Sequence, residues 1–518
     1  MKKTIIIIGA GAAGLSAALE ATENNFNVKL VSSMASERSQ SVMAEGGING
    51  AVNTKDEDDS PEQHYEDTIK AGCGLADPNA VWNMTQAAPE LIRWLYSIGV
   101  QFNTDEHNEL DLRNFGGQKK KRTAFSKSES GKQIVTALID AVRKKEAEGL
   151  VERFDHHNFV TLDLKNNKCC GCVIMDRYSG KTISLVGNGV IIATGGMHGL
   201  FGDTTGSLAN TGMVTAELFK QGVVMADLEM IQFHPTTVEI GGKRMLISEA
   251  ARGEGGRLFA DREGKRWYFM EEKYPELGNL MPRDVTSREI IKVSAEYTVY
   301  LDMTELSEEV ISKKLSGLAD DCLTYIHKDI RKEPIAVLPG IHYFMGGIFV
   351  DESHRTNIKN LYAAGECCCQ YHGANRLGGN SLLGAVYGGK TAVKTACSDG
   401  SEEEVFSVEK AEDTEQVESV NDVKRLNEIM LKTMDVVRDE ASLKEGLEQL
   451  KKIKGDLSLL GQAMIESALA RKESRGAHWR EDHPMENNEK FLKTTLATYS
   501  NGKIKISFGN IPKRRCIK

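Results

Sequence analysis

The chain has 518 residues, of which 40% are hydrophobic and 27% charged, with a formal net charge of −9. That length exceeds one hydrophobic core and predicts roughly two to four domains, while the acidic balance gives no reason to expect nucleic-acid binding. Glycine outnumbers proline 49 to 10, which points to many close backbone approaches in an otherwise ordinary globular composition.

The N-terminal run "MKKTIIIIGAGAAGLSAALEA" has the two lysines and apolar stretch of a leader or a short membrane span. Three glycines at fixed spacing interrupt it, Glu20 closes it, and no other stretch approaches about 18 apolar residues. A cytoplasmic protein is expected. Residues 4–8 suit a buried parallel strand, Gly9-Ala10-Gly11-Ala12-Ala13-Gly14 a tight turn, the alanine-rich stretch to about Asn25 a helix, and "NVKLVS" a second strand ending at Ser32. Strand, glycine turn, helix and strand make a dinucleotide-binding unit, whose glycines admit a pyrophosphate to the helix N-terminus. Gly9, Gly11, Ala12, Ala13 and Gly14 are the expected contacts. The acid that normally holds the ribose is missing; Ser32 and Ser33 stand there, and a serine hydroxyl still hydrogen-bonds a ribose.

Cys169, Cys170 and Cys172, and later Cys367, Cys368 and Cys369, raise the question of a metal. Neighbours on a strand point to opposite faces and do not readily close on one ion, so buried reduced thiols and no metal are expected. "GVIIATGG" (189–196) and "NLYAAGE" (360–366) are buried strands entering glycine turns, the second returning the carboxylate of Glu366. A second strand that brings an acid back to the first glycine turn suits FAD, with Ala193, Thr194 and Gly195 as further contacts.

Residues 234–342 differ in composition and read as an α+β capping domain inserted into a discontinuous FAD-binding domain of residues 1–233 and 343–397. Residues 398–419 form an acidic linker, 420–490 a helical domain with apolar residues at helical spacing, and 491–518 a tail in which "KIKISFG" alternates like a strand. The expected fold is α/β: a Rossmann-like FAD domain, an inserted cap and a C-terminal helical domain.

Charge gathers around the insertion: His234 in "QFHPTT", Glu249 and Arg252 in "SEAARGEGG", Arg283 in "MPRDVTSRE", His342 in "GIHYFMGG" and Arg376 in "HGANRLGGNSL". Singly, each has an ordinary structural reading: a histidine beside proline satisfied in a turn, or Arg283–Asp284 as a surface salt bridge. Together, imidazoles and guanidiniums near one flavin would receive a small dianion, because arginine binds carboxylates bidentately.

With "GAGAAG", "AEGGING", "FGGQ", "ATGG", "FHPT", "EAARGEGG", "PRD", "HYFMGG", "GECCCQYHGANRLGGNSLL", "ARKESRGAH" and "FLKTTL" in order, the chain resembles, nearly end to end, the flavoprotein subunits of succinate dehydrogenase and fumarate reductase, relatives of L-aspartate oxidase. The resemblance implies that flavin N5 exchanges a hydride with one central carbon of a C4 dicarboxylate while Arg283 exchanges a proton with the other. Glu249 and Arg252 would relay that proton, and His234, Ser248, His342 and Arg376 would hold the carboxylates. Ser248 stands where many relatives carry threonine. Gln40, Ser41, Gly46, Gly47, Ser381 and Leu382 fall at positions matching cofactor contacts. An arginine acid is awkward, since a guanidinium keeps its proton above about pH 12; carbanion character beside it and immediate reprotonation by the glutamate would be required.

Four positions depart from the family pattern. Membrane-bound members bind FAD covalently through a histidine six residues before the first glycine of "EGG"; here that site is Gln40, so non-covalent FAD and a bias toward fumarate reduction are expected. Met213 replaces the aspartate of "TGDG", and Gly384 the glutamate of "NSLLE". L-aspartate oxidases carry glutamate where Phe115 stands, and a phenyl ring offers an ammonium no counter-charge. The expected activity is FAD-dependent fumarate reduction; the alternatives are a succinate dehydrogenase flavoprotein subunit, L-aspartate oxidation, reduction of another unsaturated acid, or an electron-carrying subunit with a degenerate site. Without haem or cluster motifs of its own, the chain is expected to take electrons from an iron–sulfur subunit or another external donor, and to meet a membrane only through partners.

Overall fold

The computed structural model describes residues 3–399 and 419–515. The expected acidic linker lies almost wholly outside the described residues. A five-stranded parallel sheet organises the chain, in the order Leu361–Ala363, Gly189–Ile192, Thr4–Ile8, Asn27–Ser32, Val151–Asp155. Its central strand is continuously apolar because both faces are covered. Ile5 and Ile7 pack with helices Ala12–Glu23 and Asn380–Asp399, and Ile6 and Ile8 with the opposite layer. The N-terminal apolar run is thus a buried strand, turn and helix. No helix among the described residues is long and apolar enough to cross a membrane.

The turn after the first strand needs its glycines. Gly9 has φ +114°, and a Cβ there would meet the Ala193 carbonyl oxygen at 2.1 Å; a Cβ on Gly14 would meet Gly9 O at 1.8 Å. The helix that follows has Gly11 as its N-cap, with no capping side chain of its own, and a helix amino end favours an anion.

Strands Ile231–Ile240 and Leu338–Phe344 pair antiparallel and lead into a second lobe, in which strands Lys265–Trp267, Arg257–Arg262, Val299–Asp302 and Ile335–Ala336 form a sheet. This lobe buries its own apolar cluster, including Leu258, Phe269, Met270, Ile290, Leu301 and Leu318. The boundaries expected at 233/234 and 342/343 fall inside paired strands (Ile231↔Phe344, His234↔Gly340) of a three-stranded sheet that Lys243–Leu246 completes.

Helices Val420–Thr433, Glu440–Leu450 and Asp456–Ala470 follow, but their apolar faces belong to the cluster that also contains Ile6 and Val190. The helical segment therefore shares the core of the parallel sheet. Buried Arg471 fastens it: Nε donates to Glu229 at 2.6 Å, Nη1 to Glu473 at 2.9 Å and Nη2 to Thr495 Oγ1 at 2.8 Å. Breaking one partner of such a buried pair typically costs about 3–5 kcal/mol. The tail is a hairpin, Lys493–Ser500 with Lys503–Asn510, added to Met225–Ala226 and Gly347–Ile348. Asn501-Gly502, both at positive φ, closes it, and this Asn-Gly signal between β-branched runs was available in the sequence.

Candidate active site

A cleft of about 1670 Å³ runs from the Gly9 turn to the paired strands Ile231–Ile240 and Leu338–Phe344. Typical small-ligand pockets occupy roughly 300–1000 Å³, so this one has room for an extended dinucleotide and a small acid together. Of the residues expected from sequence to contact cofactor or substrate, all except Gly14 line this one cavity; of the expected proton relay, Glu249 and Arg283 line it and Arg252 lies behind them.

At the nucleotide end, Ser32 donates its hydroxyl to Asp155 Oδ1 at 2.9 Å. The carboxylate absent from the second strand stands at the end of its neighbour, brought there by the parallel pairing Ser32↔Asp155. Ala12 N–H donates to Ser41 Oγ at 3.2 Å, and Gln40 Oε1 accepts from the Ser207 amide. Gly195, at φ +74°, and Gly196 form a turn against which the Glu366 carboxylate lies, 2.6 Å from where a Gly196 Cβ would sit. Backbone donors, a glycine cradle and hydroxyls along an extended cleft fit FAD. Met213, the first residue of helix Met213–Lys220, lines the cavity. Gly384 does not; it faces the rings of Tyr371 and His372.

At the other end, Ser248 caps the short helix Glu249–Gly253, and Arg283 begins helix Arg283–Ser294. Arg283 Nε and Nη2 both donate to Glu249 Oε2, at 2.8 and 2.6 Å. Glu249 Oε1 accepts from Gly116 N–H at 3.2 Å and lies 3.5 Å from Arg252 Nη2. Arg252 Nη1 donates to the Asn279 carbonyl at 2.6 Å. All three charged side chains are buried. Burial by itself would raise the Glu249 carboxyl; Arg283 and Arg252 override it and hold the group down to about 2. Burial, then the neighbouring arginines, pushes His234 and His342 well below the ordinary imidazole value, so both rings are neutral. Burial and Arg283 bring Arg376 down to about 9.

The two imidazoles lie 5.2 Å apart, centre to centre. His342 Nδ1 meets Thr205 Oγ1 at 2.8 Å, while Arg376 sits over the Tyr343 ring at 4.4 Å. Phe115 is wedged against the backbones of Gly46 and Gly378. His234 Nε2, Arg376 Nε and two nitrogens of Arg252 are buried without a hydrogen-bond partner, a costly state unless something polar docks there. Asp284 is not paired with Arg283; it takes Arg288 and Asn375, each at 3.0 Å.

Sequence reading missed three contributors. Gln232 accepts from Arg283 Nη1 at 3.0 Å and donates to Asn375 Oδ1 and the Arg376 carbonyl, each at 2.8 Å. Thr205 orients His342. Glu45 lines the cleft, and burial, with Asp321 opposite, raises its carboxyl to about 8. The "FHPT" and "AEGG" motifs adjoin Gln232 and contain Glu45, but nothing local marks what either side chain meets.

A family model described as an FAD binding domain matches residues 4–382, and one described as a fumarate reductase flavoprotein C-terminus matches residues 455–516. The chain is 38% identical to the succinate dehydrogenase flavoprotein subunit of Bacillus subtilis, over 96% of this chain and 94% of that one. It is 34% identical to the 8-methylmenaquinol:fumarate reductase flavoprotein subunit of Wolinella succinogenes, over 98% and 90%. A solved E. coli quinol fumarate reductase mutant superposes with a TM-score of 0.89 at 27% identity, covering 99% of this chain and 97% of that chain.

Proposed function

From the premise that the chain belongs to the FAD-dependent succinate dehydrogenase and fumarate reductase flavoprotein family, oxidoreductases acting on CH–CH groups, we propose that it reduces fumarate to succinate with two electrons and two protons. FAD, held by Gly9, Gly11, Ser41, Gly195 and Glu366, would supply the electron pair as a hydride. The chain's own residues do the rest. Arg376, with His234, His342 and the Ser248 hydroxyl, holds the two carboxylates in the cleft. Arg283 gives a proton to the second central carbon as negative charge develops there. Glu249, kept ionised by its two arginines, passes a proton from Arg252 to the neutral Arg283, and Arg252 regains one from solvent.

The observation that carries this reading is the fork of Arg283 on one Glu249 oxygen, with the third nitrogen on Gln232. Two of three guanidinium nitrogens are thereby fixed by a carboxylate, and the group is aimed into the cavity that Arg376 and His342 share. Gln40, which offers no ring nitrogen for a covalent bond, supports non-covalent FAD and the reductive direction. Electrons would come from an iron–sulfur subunit or another external donor.

Purified FAD-loaded protein with a reduced viologen dye and fumarate tests the reading; a loaded protein that turns over no fumarate would overturn it. Succinate dehydrogenase activity is the second reading, favoured by the 38% identity to a succinate dehydrogenase subunit. Faster dye reduction by succinate than fumarate reduction under matched conditions would select it.

A further inference from the structure

His198 is fully buried, and neither ring nitrogen has a hydrogen-bond partner among the described residues. Its ring stands edge-on to Phe344, 5.1 Å between centres, and the Gly206 backbone lies so close that a Cβ there would come within 2.2 Å of Nδ1. Nε2 lies 3.5 Å from Glu366 Oε1. The same carboxylate oxygen accepts the Phe344 N–H at 3.1 Å, and Glu366 lines the cofactor cleft beside Gly195 and Gly196. An apolar side chain would fill this volume without the desolvation cost of two unpaired nitrogens, so the imidazole calls for a chemical reason.

Glu366, from the turn Gly365–Cys367, faces the ring at this range, and His342, on the strand Leu338–Phe344, lies within electrostatic reach. Glu366 is itself felt by Tyr343 and Arg376. Phe344 and the Gly206 backbone, which close around the ring, are uncharged. Negative charge added to a poorly solvated cleft raises the proton affinity of a nearby base.

We propose that His198 and Glu366 form a redox-linked proton site: the pair takes up one solvent proton when the cofactor in the cleft gains two electrons, and releases it when they leave. An N–H bond forms at His198 Nε2, facing the Glu366 carboxylate, and no heavy-atom bond changes. The electrons are those of the catalysed reaction, delivered by its own donor. The inference rests on FAD occupying the cleft and is indifferent to the identity of the acid reduced, so its failure would leave the substrate reading untouched.

The midpoint potential of the FAD-loaded protein, followed spectroelectrochemically from pH 6 to 8.5, tests it. Each proton taken up with an electron pair adds about 30 mV per pH unit. The wild-type slope is expected to exceed that of His198→Gln by this amount within that range; superimposable slopes would overturn the proposal. If the variant fails to hold FAD, the reduced-minus-oxidised infrared difference of wild-type protein carrying ¹⁵N-histidine decides. An isotope-shifted imidazolium band supports the site, and its absence refutes it.

Discussion

Gln232 Oε1 accepts a hydrogen bond from Arg283 Nη1 at 3.0 Å while its amide nitrogen donates to the Arg376 carbonyl at 2.8 Å. One buried amide thereby ties the proposed proton donor, at the head of a helix in the second lobe, to the loop bearing the proposed carboxylate clamp. Hydrogen bonds to charged groups are worth about 1.5–3 kcal/mol. Gln232→Ala should therefore lower kcat for fumarate by roughly 10- to 150-fold, with FAD content unchanged. Full activity in a viologen assay would remove Gln232 from the positioning machinery.

Glu249→Gln leaves Arg283 without its counter-charge and interrupts proton return. Loss of a positioned acid–base group costs about 10²- to 10⁴-fold, and Arg283→Lys should fall at least as far while the flavin absorbance persists. Retention of more than a tenth of wild-type turnover in either variant would argue against the relay.

Stability should depend on pH through Glu45. Its folded value, about 8, lies above the ordinary 4.5, so its contribution is full below pH 4.5 and is lost as pH rises through 8. By linkage the loss is at most about 5 kcal/mol. Glu45→Gln has no proton to lose, and its Tm should decline less between pH 6 and 9 than that of the wild type. Parallel declines would show that Glu45 does not govern this window.

Acid precipitation of FAD-loaded protein should leave the yellow colour in the supernatant, because Gln40 has no ring nitrogen to bond the cofactor. Colour retained by a washed pellet would contradict non-covalent binding.

Phe115 packs on Gly46 and Gly378 and places a phenyl ring at the cleft wall. Fumarate and succinate should perturb the flavin spectrum saturably, whereas L-aspartate at matched concentration should not. A stronger response to L-aspartate would reverse the assignment.

The dinucleotide turn was legible in the chain because its constraints are local: Gly9 and Gly14 are five residues apart and meet directly. The tail hairpin was equally local, in Asn501-Gly502, yet only its second strand was read. A composition change at 234 and 342 cannot reveal that strands 231–240 and 338–344 run through those positions as one ladder.

By itself, the sequence determined the strand–turn–helix that accepts a pyrophosphate, the chemistry of the charged motifs and the family they match, since each depends on residue type and short spacing. Only the tertiary structure decided which groups meet. Arg283 reaches Glu249 across 34 positions, His342 reaches Thr205 across 137, and Gln232 reaches Arg376 across 144. The reason is physical: a buried charge is tolerable only with partners at hydrogen-bond distance, and those distances are set by how the two lobes and the paired strands between them fold together, which no local pattern encodes.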